Sequence, residues 1–329
     1  MNKFLIFRTD RIGDFIFSRV LIESIKSKYP SNRIDLVCSL YNSKYIKYYN
    51  DIKNIYILDK YNISLLLKNI IKINRVNYDY LIVLDGKRRS IFFSLPLKAK
   101  RKYAVLKDFR PLTLLKIFYD NFFINSEVNS QFDNFASVVN YLNIKIPKKI
   151  NYYESYNFKK NNFKILTFNF TLLHLDEKWF EGYYYNDFKY MNLNINNFEK
   201  FITVVRKKFK KNIVITTGGV KVEQLSIIKK KFFDKYDKNT YFSKKYKEKL
   251  LIIDDTDFRD LETIVSLCSE IICCEGAISH VSHALQKNTV ALINNVKTAK
   301  FWTQHMERLK LIKRDNISII SKEIKNIKF

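Results

Sequence analysis

Along the chain, short apolar runs alternate with segments whose apolar positions recur every three or four residues, the pattern of strands interleaved with amphipathic helices. Phe4–Phe7 is the first such run, and the helical pattern Phe15–Lys28 follows it. Pro30 ends that helix. Arg33–Cys38 and Ile55–Leu58 predict the next two strands, and Ile63–Val76 another helix. Tyr80–Leu84 reads as a buried strand closed by Asp85-Gly86, and Gln131–Leu142 as the helix that ends the first half. The polar stretch Pro147–Asn162, rich in Lys, Asn and Tyr, predicts a linker. The first domain is therefore expected over 1–155 and the second over 156–329. In the second half the strands are expected at Lys164–Phe168, Asn212–Thr217, Leu250–Ile253, Ile271–Cys274 and Thr289–Ile293. Helices are expected at Asn197–Phe209, Val222–Phe233, Asp260–Cys268 and Ser279–Gln286. A final helix follows Asp315, belonging to the second domain or packing back on the first. Such alternation predicts an α/β protein with parallel sheets covered on both faces. Two facing halves across a cleft are the expected architecture.

Composition narrows this picture. Hydrophobic residues make up 47% of the 329 residues, enough for two full cores and too many for a disordered chain. The longest apolar runs, such as Ile91–Leu97, are too short to span a bilayer. No export leader is visible, so a cytoplasmic protein is expected. Cys38, Cys268, Cys273 and Cys274 show no C-x-x-C spacing, and buried reduced thiols are the expectation, with no disulfide and no metal. The formal charge of +27 attracts anions such as nucleic acid, anionic lipid or phosphorylated glycans. The joint over-use of Lys, Asn, Ile, Tyr and Phe offers a compositional origin for the same charge. Only short clusters occur (Lys98–Lys102, Lys207–Lys211, Lys229–Lys231), without a compact basic stripe or a recognised nucleic-acid motif. Nucleic acid is not an expected partner.

The stretch Arg8–Asp14, RTDRIGD, joins the first strand to the first helix. Loops after strands of a parallel sheet lie at its carboxyl edge, where ligands bind. Asp14 stands in the first turn of the helix, where the dipole stabilises an ionised carboxylate. It is a candidate proton acceptor or a helix cap. Lys87-Arg88-Arg89 follows Asp85-Gly86 at another strand end. Glu275-Gly276-Ala277-Ile278-Ser279-His280 makes a strand–Gly–helix turn of the kind that binds phosphate. His280 and His283 share a helix face, but no H-E-x-x-H arrangement points to zinc. Gly218-Gly219 is a second glycine turn at a strand end. Asp254-Asp255-Thr256-Asp257 has the acidic D-x-D pattern, and its position before a helix favours a loop with a cap over a metal site. No P-loop, G-x-G-x-x-G fingerprint or G-x-S-x-G elbow occurs.

Four stretches carry a resemblance. FLIFRTDRIGDFIFSRVLIESIKSKYP (4–30), YDYLIVLDGKRRS (78–90), ITTGG (215–219) and DFRDLETIVSLCSEIICCEGAISHVSHAL (257–285) together resemble, in order, glycosyltransferase family 9, the ADP-heptose:lipopolysaccharide heptosyltransferases. The resemblance implies a GT-B fold of two facing Rossmann-like domains. It implies an inverting, metal-independent sugar transfer with no cofactor, the Gly-Asp carboxylate, here Asp14, serving as base. Donor contacts would fall on Thr171, Lys178, Gly218, Gly219, Glu275, Gly276, Ala277 and His280. Arg11, Lys87, Arg88 and Arg89 would meet an acidic, lipid-linked saccharide acceptor. The nucleotide sugar would be ADP-heptose, and the enzyme would work peripherally on the anionic inner face of the cytoplasmic membrane. This chain departs from the family pattern at three points. Glu275 replaces the usual Asp, the glycine stands one place early, and Lys178 adjoins Trp179 with no Pro following, so another nucleotide donor stays open. So does a non-catalytic basic protein that binds membrane or nucleic acid.

Overall fold

The computed structural model describes residues 1–59, 61–106, 115–124, 130–158, 163, 165–180, 191 and 193–329. They form two compact units, Met1–Asn157 and Phe158–Phe329. In the first, the elements run β1 (Asn2–Arg8), α1 (Ile12–Lys28), β2 (Asn32–Cys38), α2 (Leu40–Ile46), β3 (Ile52–Ile57) and α3 (Ile63–Asn74). Then come β4 (Tyr78–Val83), α4 (Arg88–Ser94), β5 (Ala99–Leu106), β6 (Asn121–Ile124) and α5 (Gln131–Tyr141). The sheet order is β3-β2-β1-β4-β5-β6, with every pairing parallel. Phe4, Leu5, Ile6 and Phe7 are wholly buried because β1 is central and covered on both faces, which explains a continuous apolar run in place of alternation. Arg19, buried in α1, is held by Glu23 and Asp51 and lies over the Tyr49 ring. A guanidinium this deep is tolerated only with such partners.

The second unit contains β7 (Phe170–Leu175), a single 3-10 turn (Glu177–Trp179), α6 (Phe198–Phe209), β8 (Asn212–Thr217), α7 (Glu223–Phe232), β9 (Phe233–Lys235), β10 (Thr240–Ser243) and β11 (Lys247–Ile253). It continues through α8 (Phe258–Leu267), β12 (Glu270–Cys274), α9 (Ala277–Ala284), β13 (Asn288–Ile293), α10 (Val296–Thr303), β14 (Leu309–Lys313) and α11 (Ile317–Asn326). Its sheet order is β14-β13-β12-β7-β8-β11-β10-β9.

Two expectations are corrected here. The strand that opens this unit is Phe170–Leu175, not Lys164–Phe168. Two buried polar residues, Thr171 and His174, break its apolar run and hide it. The sheet is not wholly parallel, since β9, β10 and β11 pair antiparallel. Asp237 closes the turn between β9 and β10 by accepting from the amides of Asn239 and Thr240. The final helix packs into the core of its own unit, where Ile317, Ile320 and Ile324 join Phe198, Phe201 and Val205. The Tyr-rich stretch 183–190 lies outside the described residues.

Candidate functional site

In a parallel sheet whose strand order reverses, ligands bind outside the carboxyl ends of the strands at the reversal. The first sheet reverses between β1 and β4, and the second between β7 and β12. Both reversal points are lined by charged residues that hydrogen bonds hold in place.

At the first, Asp85 beyond β4 is buried and accepts four hydrogen bonds. Its Oδ2 takes the Thr9 amide at 3.0 Å, the Thr9 hydroxyl at 2.6 Å and the Ser90 hydroxyl at 2.8 Å, and its Oδ1 takes the Lys87 amide at 3.0 Å. Gly86, at φ +58°, makes the left-handed turn that lets the chain reach Lys87. Arg8, at the end of β1, is fully buried and donates to the carbonyls of Leu84 and Asp14, each at 3.0 Å. Its guanidinium also pairs with Asp10 at 3.1 Å and stands 3.5 Å from Asp14. Asp14 accepts the Arg11 amide at 3.1 Å and so does cap α1, while its side chain keeps 19% of its surface exposed. Burial pushes the Asp10 carboxyl up to about 6, against the pull of Arg8 and with help from Asp14 and Asp85.

The four predicted acceptor residues separate. Arg89 donates weakly to Thr9, at 3.4 Å to its carbonyl and its hydroxyl. Lys87 is half-buried at the start of α4, whereas Arg11 and Arg88 are exposed. Arg8, Thr9, Asp10 and Asp85 escape a motif reading. Asp10 and Asp85 carry the only available signal, a carboxylate just beyond an apolar run.

At the second reversal point, Lys178 reaches from the turn after β7 to the Glu275 carbonyl beyond β12, at 2.9 Å. It also pairs with Asp176 at 3.1 Å. Burial pulls the ammonium down, but Asp176 outweighs that and holds it above its ordinary value, so it stays charged. Gly276 stands at φ +158°, where a side chain is strained, and an added Cβ would also come within 2.9 Å of the Lys178 Nζ. Asn294 donates its amide to the Glu275 carboxylate at 3.3 Å. Trp179 is buried and anchors the turn by donating from Nε1 to the His174 carbonyl at 2.8 Å. Arg314, just beyond β14, is a second cation here and is buried, donating to the Leu292 carbonyl at 3.3 Å. Both cations act on the buried Cys274 thiol, which puts them around the end of β12. Nothing in the sequence pattern singles out Arg314.

Ala277 opens α9, and His280 lies half-buried one turn further on. His283 and His305 meet edge to face at 4.9 Å, and burial lowers them to about 4 and about 3, leaving both neutral. Gly218 and Gly219 border open space, the nearest contact for an added Cβ being Asp255 Oδ1 at 3.9 Å from position 219. Thr171 does not belong with this group. It is buried near the amino end of β7, where its hydroxyl donates to Glu270 at 3.3 Å, at the opposite edge of the sheet from Lys178. In the acidic loop, Asp257 caps α8 by accepting the Asp260 amide at 2.7 Å, and Asp254 is held by Thr217 and Lys229. Among the described residues no group of three His, Cys, Asp or Glu side chains is arranged to hold a metal ion. All four cysteines are buried and free.

No protein-family model matches the sequence, and no curated protein matches it. Solved structures do. The E. coli heptosyltransferase WaaC, with ADP-2-deoxy-2-fluoro heptose, aligns over 98% of this chain and 99% of its own, at TM-score 0.69 and 9% identity. A glycosyltransferase family 9 protein from Veillonella parvula aligns over 99% and 94%, at TM-score 0.68 and 13% identity. A putative UDP-N-acetylglucosamine 2-epimerase from Listeria monocytogenes aligns over 98% and 86%, at TM-score 0.58 and 12% identity. These likenesses establish the fold: two Rossmann-like units of the GT-B type, the fold of the family 9 glycosyltransferases.

Proposed function

We propose that the protein is an inverting, metal-independent glycosyltransferase that takes its sugar from a nucleoside diphosphate. The observation that carries this is the Lys178 ammonium fixed on the Glu275 carbonyl at 2.9 Å, against a glycine, at a helix start. A half-buried cation held beside helix N–H groups suits a diphosphate, and most of all one gaining charge as it leaves. In the reaction the acceptor oxygen bonds to the anomeric carbon and gives its proton to a carboxylate. The anomeric carbon–phosphate oxygen bond breaks, and the diphosphate departs with the electron pair. Asp14 is the proposed base, oriented by the Arg11 amide and Arg8. Loss of such a base costs about a hundred to ten thousandfold in rate.

The preferred donor is ADP-heptose and the preferred acceptor a lipopolysaccharide core or related acidic surface glycan, met by Arg11, Lys87, Arg88 and Arg89. The reaction would take place in the cytoplasm, at the inner face of an anionic membrane. No described helix is long and apolar enough to cross a membrane. A different nucleotide sugar is the second reading. It is favoured by Glu275 in place of Asp, and the fold is shared with a protein titled a UDP-N-acetylglucosamine 2-epimerase.

Thermal shift against ADP, UDP and GDP separates the two donors, since a ligand specific to the native state raises stability by mass action. Nucleotide release from the matching sugar, abolished by Asp14→Asn with the shift intact, supports transfer. A protein that binds donor but releases nothing with any acceptor is a non-catalytic binder.

A further inference from the structure

The outer surface of α3 is unusual for a helix packed on a sheet. Asn69 and Ile73 are buried and Leu66 and Ile70 pack on the core, as a covering helix requires. Yet Ile63, Leu67 and Ile71 remain 69%, 57% and 56% exposed. Successive helix residues turn by about 100°, so positions four apart line up in one ridge. The next row along is Ser64, Lys68 and Lys72, all exposed, with Arg75 just beyond. The apolar face of α3 thus continues past the core into solvent and ends on a row of cations.

A second apolar patch lies near by. Strands β2 and β3 end side by side, with the Leu58 amide bonded to the Cys38 carbonyl at 2.8 Å. From those ends emerge Leu40 and Tyr41, 53% and 69% exposed, and Tyr61, 82% exposed. Lys44 is exposed one turn after Tyr41. Asn42, next to Tyr41, donates to the Asp10 carbonyl at 3.0 Å, so this patch is tied directly to the loop of the first reversal point.

We propose that the α3 ridge, together with the start of α2, seats the protein on an anionic lipid bilayer. A convex apolar ridge with cations on its flank enters the boundary between headgroups and acyl chains, and its lysines meet lipid phosphates. The excess charge of +27 reinforces that preference at longer range. The inference deepens the membrane part of the reading above and does not depend on sugar transfer. It identifies the surface, whose α2 part is tied to the loop that carries the candidate base.

Flotation of the full chain with vesicles tests it, using phosphatidylglycerol/phosphatidylethanolamine vesicles against pure phosphatidylcholine. Wild type floats with the anionic vesicles. The variant Ile63→Ser/Leu67→Ser/Ile71→Ser loses at least about tenfold in partitioning at an unchanged melting temperature. Lys68→Glu/Lys72→Glu loses the preference for anionic over neutral vesicles. The proposal is overturned if the triple serine variant floats like wild type. It also fails if Lys207→Glu/Lys210→Glu, on the other unit, removes flotation while the α3 variants keep it. A wild type that binds neither vesicle, but is a dimer that the serine variant dissociates, would make the ridge a protein interface. Nucleotide-induced thermal shift stays unchanged in the α3 variants. Loss of that shift in wild type, with flotation intact, would sink the transferase reading alone.

Discussion

Replacing Asp85 with asparagine tests whether the first reversal point is held as the geometry indicates. The carboxylate accepts three donors on one oxygen and one, the Lys87 amide, on the other. An asparagine of the same shape has one acceptor oxygen, and the three-donor position claims it. Its NH2 group then faces the Lys87 amide, donor against donor. One hydrogen bond to a charged group is lost, worth about 1.5–3 kcal/mol, and the other three become neutral. The expected cost is about 2–4 kcal/mol, a large part of a typical total of about 5–15 kcal/mol. Thr9→Val removes the 2.6 Å hydroxyl bond to Asp85 and the long contacts to Ser90 and Arg89, at 3.3 and 3.4 Å, and leaves the amide bond, so about 1 kcal/mol is expected. Urea unfolding followed by far-UV circular dichroism gives both values. Asp85→Asn within about 0.5 kcal/mol of wild type, the range of surface changes far from such features, would refute the reasoning. So would Thr9→Val matching it in cost.

Three further outcomes are expected. Lys178→Met weakens nucleoside diphosphate binding by about 10–100-fold, the equivalent of one charge-assisted hydrogen bond, read as a smaller thermal shift at fixed ligand. Asp10 binds its proton more tightly in the folded state, where burial raises it to about 6, than in the unfolded chain. Its contribution to stability is therefore present below about pH 4 and lost as pH rises through about 6. Melting temperatures of wild type and Asp10→Asn, measured from pH 4 to 7, should diverge across that window in favour of the variant. Asp257→Ala loses an N-cap and costs about 1 kcal/mol in urea unfolding. It should leave nucleotide binding and its insensitivity to EDTA unchanged, whereas a metal-binding role would abolish binding.

What the sequence makes legible here depends on how far apart the interacting residues lie. The β1 run and the Gly-Asp helix start are local, and periodicity finds them. Lys178 and Glu275 stand 97 residues apart, and Thr9 and Asp85 stand 76 apart, so only the strand order brings them together. Strands at the margin were the other loss. In β5 the exposed Lys100 and Arg101 precede the buried Tyr103–Leu106, and the segment reads as a charge cluster. In β14, which pairs only with β13, a single residue of five is buried, too few for an alternating signal. β7 was misplaced for the opposite reason. It is buried throughout, yet two of its six residues are polar and satisfied by neighbouring strands, Thr171 by Glu270 and His174 by Thr216. A single sequence does not reveal a polar residue's partner on another strand.

The same long-range bonding bears on whether Asp14 caps a helix or accepts a proton. Capping occupies Oδ2 with the Arg11 amide and leaves Oδ1 facing Arg8 across 3.5 Å. Capping therefore does not exclude the proposed role as base, since it takes only one of the two carboxylate oxygens. Asp10 shares Arg8 with Asp14, and burial drives the Asp10 carboxyl up to about 6. Arg8 pairs with both carboxylates, and its complete burial is offset by those contacts together with its two bonds to main-chain carbonyls.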